Sequence, residues 1–151
     1  MSSPFTHHPV LRDECLTWLD PRPGGVIVDG TVGGGGHAEA LLERSAPDGR
    51  LVGLDLDPQA LEAARARLAR FGSRVLLRNA SFRALAAVLD ELGLARVDGV
   101  LLDLGVSSPQ LDRPERGFRF AEESAGATPL DMRMGPAVGE PAAVRLAQAS
   151  E

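Results

Sequence analysis

Short runs of consecutive apolar residues alternate along the chain with stretches in which apolar positions recur every three or four residues. The runs lie at 25–29, 50–55, 74–78 and 97–104, and the helical stretches at 37–44, 58–71 and 81–92. The second helical stretch carries Leu61, Ala64, Leu68 and Phe71 on one face, with Pro58 at its start and Gly72 past its end. The third has Ser81 as an N-cap, followed by Phe82, Leu85, Val88, Leu89 and Leu92. Alternation of this kind predicts right-handed βαβ units, hence an α/β fold of Rossmann type with a parallel sheet covered on both faces.

Upstream, residues 7–20 read as a further helix with Pro9 in its first turn. Leu11, Cys15, Trp18 and Leu19 form its apolar stripe, which predicts core packing for Cys15 and Trp18. His7 and His8 are expected to face solvent. Downstream of Leu104 the periodicity stops, and residues 105–139 read as one long loop, a form that commonly carries function. A last helix begins near Pro141. The expected organisation is therefore a cofactor-binding half-domain with its N-terminal helix (1–104), a loop for the active site and substrate (105–139), and the start of a helical segment (140–151).

At 151 residues the chain is long enough to bury one core. Its 44% hydrophobic and 25% charged residues are ordinary for a globular protein. It has no apolar run of membrane-spanning length and no secretory leader pattern, so no membrane association is expected. Cys15, the single cysteine, supports neither an internal disulfide nor a cysteine metal cluster; a cytoplasmic setting and no metal are expected. A net charge of −5 argues against coating nucleic acid by overall charge, though not against a local basic patch.

Candidate chemistry concentrates where the first run empties into a loop. Five of the seven residues from Gly30 to Gly36 are glycine. Strand, glycine loop and helix together present bare backbone N–H groups and a helix N-terminus to a ligand. Two cofactor patterns overlap here. Gly33-x-Gly35-x-x-Ala38, with Asp55 twenty residues beyond Gly35, fits a dinucleotide fingerprint and so an NAD-type oxidoreductase. Asp29, four residues before Gly33, points instead to S-adenosylmethionine. A carboxylate at the lip of the loop repels a pyrophosphate and attracts an ammonium. Asp55 serves either cofactor by accepting ribose hydroxyls, while Asp57 caps the next helix. Residues 79–82 are expected beside the adenine, with Phe82 either there or in the core of its own helix. Asp103 ends the fourth run beside the first, at the switch point where ligands of such sheets bind.

The runs DLGVSSPQLD, ERGFRF and PLDMRM, together with DGTVGGGGH, closely resemble the bacterial small-subunit ribosomal RNA methyltransferase H family, also called MraW. The resemblance spans residues 6–134 and implies an S-adenosylmethionine-dependent enzyme that methylates the exocyclic N4 amino group of a cytidine in the ribosome's decoding region. It implies cofactor contacts at Gly35, Gly36, His37, Asp55, Phe82, Asp103 and Gln110, which join Asp29 and Gly33, and it moves Phe82 to the cofactor side. Asp103, or carbonyls of Ser107, Ser108 and Pro109, is the candidate acceptor for the amino protons. Arg113, Arg116, Arg119 and Arg133, interleaved with Phe118 and Phe120, suit phosphate contact and stacking on an unpaired base of the small-subunit RNA.

Members of that family are longer, so this chain is expected to carry only the first four strands, in the order 3-2-1-4. Its fourth strand is then an exposed apolar edge (Val100, Leu101, Leu102) that invites association, including a homodimer. Weak cofactor binding and poor catalysis by this portion alone are expected; a non-catalytic cofactor-binding fragment is the remaining alternative.

Overall fold

The computed structural model describes residues 11–105, nearly all within the first of two compact units, Met1–Asp103. Four parallel strands lie in the order β3-β2-β1-β4: β1 (Val26–Asp29), β2 (Arg50–Asp55), β3 (Val75–Asn79) and β4 (Gly99–Leu101). Helices α1 (Arg12–Leu19), α2 (Gly36–Arg44), α3 (Pro58–Leu68) and α4 (Leu85–Glu91) complete the described part. The expected Rossmann-like topology is present.

Successive strand residues point to opposite faces, so the sheet builds two cores. Ile27 and Leu51 join Ala38, Leu41 and Leu42 of α2 and Leu61, Ala64 and Leu68 of α3 on one face, flanked by Leu16 and Leu19 of α1. Val26, Val28, Val52 and Leu54 pack with Val88 of α4 on the other, flanked by Leu85, Leu89 and Leu92. Helices thus cover both faces. Asp57 caps α3 as predicted, its carboxylate accepting the Gln59 N–H at 2.9 Å, and Ser81 accepts from the Arg83 N–H at 3.2 Å.

Several expectations need correction. The N-terminal helix starts at Arg12, not residue 7, because Leu11 stands at φ 56°, where an α-helix cannot pass. Its buried side is rotated from the expected stripe. Leu16 and Leu19 touch the core, Cys15 is half-buried, and Trp18 is 87% exposed, so the core assignment of Trp18 is wrong. A helix this short fits its apolar residues to either of two adjacent faces, and contact with the sheet selects one. The helix after Pro58 ends at Leu68 and tightens into a 3-10 turn, Ala69–Arg74, in which Gly72 at φ 56° reverses the chain. Phe71 still packs against the core with Leu61, Ala64 and Leu68, as expected, under the Arg70 guanidinium 4.4 Å from the ring centroid. The segment from Ser81 opens as a 3-10 turn, Phe82–Ala84, before α4. Strand β4 has three residues where eight were expected, since β1 ends at Asp29 and offers it no longer partner.

Candidate functional site

The C-terminal ends of β1, β2 and β4 converge on the glycine loop. Gly30 N–H donates to the Leu101 carbonyl at 2.9 Å, extending the β1–β4 pairing by one bond. Two residues later Val32 N–H donates to the Leu54 carbonyl at 2.9 Å, on the opposite side of β1. The chain therefore crosses from one flanking strand to the other within the loop, at the switch point between β1 and β4, outside which sheets of this kind bind ligands in a crevice. A Cβ at Gly30 would meet Leu102 Cδ2 at 2.5 Å and Phe82 Cβ at 3.1 Å, so the half-exposed Leu102 side chain would have to move. Gly33 and Gly35 turn the loop with φ of 51° and 82°, which only glycine adopts freely, and Gly34 faces open space. Gly35 caps α2, so Gly36 and His37 occupy its first turn.

Three carboxylates surround this loop. Asp29 is 1% exposed and lies beneath the loop, not at its lip, with Oδ1 accepting the Thr31 N–H at 3.1 Å. Burial pushes its pKa up to about 7; the Thr31 N–H opposes the shift, and the fields of Asp55 and Asp103 add to it. Asp55, also raised by burial, accepts the Gly33 N–H at 2.8 Å through Oδ2 and the Asp57 N–H at 2.9 Å through Oδ1. The same carboxylate that was expected at a ribose thus also ties the glycine loop to β2. A carboxylate has about four acceptor sites, so Asp55 can hold the loop backbone and still accept from a ligand. Asp103 is the open member, its side chain 61% exposed, with Oδ2 at 3.9 Å from Nε2 of the well-buried His37.

Phe82 stands half-buried beside Gly30 at the tip of β1, whereas Leu85, Leu89 and Leu92 of the same apolar stripe pack on the sheet. The structure thus gathers Asp29, Gly33, Gly35, Gly36, His37, Asp55, Phe82 and Asp103 around one crevice. Ser107, Ser108, Pro109, Gln110, Arg113, Arg116, Phe118, Arg119 and Arg133 lie outside the described residues, as does the helix expected near Pro141. Sequence reasoning passed over Thr31, whose hydroxyl accepts the Asp103 N–H at 2.7 Å. The available signal was a lone β-branched hydroxyl residue in a loop otherwise rich in glycine. It also placed Cys15 in the core with no link to the site, yet burial first, and then the fields of Asp103, Glu14 and Asp29, raise its thiol pKa.

Among the described residues no arginine pairs with Asp29, Asp55 or Asp103. Three carboxylates around one glycine loop are hostile to a pyrophosphate and suited to a ligand carrying ammonium, sulfonium and sugar hydroxyls.

The profile of the MraW methylase family matches residues 4–151. The chain belongs to the MraW methylase family. Ribosomal RNA small subunit methyltransferase H of Heliobacterium mobile is 55% identical to it over 133 residues, 87% of this chain and 41% of the relative. The protein of that name from Geobacter sulfurreducens is 56% identical over 130 residues, 86% of this chain and 40% of the relative. The chain thus spans about two fifths of the length of these curated MraW relatives. Among solved structures, NSun6 from Pyrococcus horikoshii superimposes with a TM-score of 0.51 at 23% identity, over 64% of this chain and 24% of that one, a likeness of fold.

Proposed function

We propose that this MraW-family chain is the cofactor-binding part of an S-adenosylmethionine-dependent methyltransferase. Its substrate in this reading is the exocyclic N4 amino group of a cytidine in the decoding region of small-subunit ribosomal RNA, met within the small ribosomal subunit. The observation that carries the reading is the set of three carboxylates around a glycine loop at the sheet's switch point, with no arginine paired to them among the described residues. The printed names of the relatives support the ribosomal RNA substrate. No helix among the described residues is long and apolar enough to cross a membrane, which is compatible with a cytoplasmic site of action.

Bound S-adenosylmethionine supplies a methyl group made electrophilic by its sulfonium. Asp29, charged once an ammonium approaches, balances the methionine end together with the backbone of Gly33, Gly35, Gly36 and His37. Asp55 accepts the ribose hydroxyls and Phe82 borders the adenine, with Gln110 a further contact. A cytosine amino nitrogen is a poor nucleophile because its lone pair is delocalised into the ring. The exposed carboxylate of Asp103 accepts an amino N–H, favours a pyramidal nitrogen, and takes the proton as the methyl is transferred. Carbonyls of Ser107, Ser108 and Pro109 are the alternative acceptors. Most of the acceleration would come from the site's holding the amino group in position against the methyl donor. Arg113, Arg116, Arg119 and Arg133 contact RNA phosphates, and Phe118 stacks on an unpaired base.

Calorimetric titration is expected to show heat with S-adenosylmethionine and none with NAD. Methyl transfer to small subunits lacking the modification is expected from a full-length relative and to be far slower from this chain. An Asp103→Asn chain that methylates at the unaltered rate overturns the role given to Asp103; binding of NAD alone overturns the methyltransferase reading.

A further inference from the structure

In the register observed, Asp29 faces Leu101 and the Gly30 N–H reaches the Leu101 carbonyl. Parallel pairing repeats evenly, so the next bond would run from the Asp103 N–H to the Gly30 carbonyl. It runs instead to the Thr31 hydroxyl, at 2.7 Å. By then the β1 backbone has left this flank, because Val32 already bonds to Leu54 of β2. A side chain thus supplies the acceptor at the point where main chain stops supplying one. The same residue's N–H donates to Asp29 Oδ1 at 3.1 Å. Thr31 therefore links the buried carboxylate at the end of β1 to the open one beyond β4. Its counterpart on the other flank is Asp55, which holds Gly33 by its N–H at 2.8 Å.

We propose that Thr31 is a positioning residue: its hydroxyl holds the Asp103 backbone at the mouth of the crevice and so sets where the Asp103 carboxylate stands. Asp103 is exposed and lies two residues past the end of a three-residue edge strand, so the described strand pairing does little to fix it. His37, 3.9 Å away, approaches the carboxylate itself, while Thr31 fixes the backbone behind it. What the positioning serves rests on the methyltransferase reading above; the strap itself does not.

Hydrogen exchange at the Asp103 amide and calorimetry with S-adenosylmethionine test the two parts separately. In the unaltered 151-residue chain the Asp103 amide is expected to exchange at least about tenfold more slowly than an unstructured amide. Thr31→Val, which keeps shape but removes the acceptor, is expected to abolish that protection and to weaken cofactor binding roughly three- to tenfold. Thr31→Ser is expected to restore both, which a role in packing alone would not do. Fast exchange at Asp103 in the unaltered chain overturns the strap without any variant, which covers the case in which Thr31→Val fails to fold. Equal loss in the Val and Ser variants, or no change in Val, also overturns it. Slow exchange, sensitive to Val and rescued by Ser, in a chain that binds NAD and not S-adenosylmethionine upholds the strap and rejects the methyltransferase reading.

Discussion

The two flanks of β1 are built differently. Toward β2 there are four residue pairs, from Val26↔Arg50 to Asp29↔Gly53, and every residue of β1 is buried. Toward β4 there are three pairs, and Val100 and Leu102 remain 41% and 43% exposed. The β2 flank is held by strand pairing and close packing, and the glycine loop is tied down by the Asp55 carboxylate. The β4 flank has a shorter strand strapped by a side chain at each end, the Asp98 carboxylate accepting the Val26 N–H at 2.7 Å and the Thr31 hydroxyl accepting the Asp103 N–H at 2.7 Å. Among the described residues, then, the flank that the proposed function gives to the cofactor is the more deeply buried, and the flank it gives to the substrate is the more exposed.

That contrast breaks most readily at Leu54, which is fully buried against Val88 and its neighbours. Leu54→Ala is expected to cost about 3 kcal/mol of stability, measured by urea denaturation. A loss below about 1 kcal/mol shows that the β2 flank tolerates a cavity and removes the contrast.

Asp29 gives the next largest effect, through pH. Its carboxyl titrates near 7 in the fold against an ordinary 3.8, so between those values the folded state holds a proton that the unfolded chain has released. This contribution to stability is full below pH 3.8 and is lost as pH rises through about 7. Between pH 5 and pH 8 the unaltered chain is expected to lose about 2–3 kcal/mol through this group, and Asp29→Asn none of it. Parallel stability curves for the two chains would show that Asp29 is not the buried acid described here. The same variant is expected to weaken S-adenosylmethionine binding, most at high pH, where the native carboxylate carries its charge.

The smallest effect belongs to the β4 edge. Val100→Thr with Leu102→Thr is expected to change stability by less than about 0.5 kcal/mol, because both side chains are already wet. If the edge pairs with a second copy, sedimentation will show the double variant more monomeric than the parent at equal concentration. A large stability loss would mean that this edge is covered in the native chain.

Much of this was legible along the chain. Strands β1 to β3 were found within a residue or so, because fully buried parallel strands show as unbroken apolar runs. Asp57 and Ser81 were correctly read as caps, since capping needs only a side-chain acceptor two residues ahead of a free N–H. Trp18 was misread because helical spacing says that a face is apolar without saying which of two neighbouring faces meets the sheet. Strand β4 was read too long because a run of Val and Leu records apolar character, while strand length depends on how far the partner extends.

The candidate site divides the same way. Local sequence by itself determined the alternation of strands and helices, the glycine loop after β1, and the acids that end the strands, since each is set by residues close together in the chain. Only the tertiary structure decided that Asp29 lies under the loop with a raised pKa, that Asp55 holds Gly33, and that Thr31 reaches Asp103. Burial and long-range hydrogen bonds depend on which strands become neighbours, and the contact between Thr31 and Asp103 exists only because β4 is laid against β1 across 72 residues of chain.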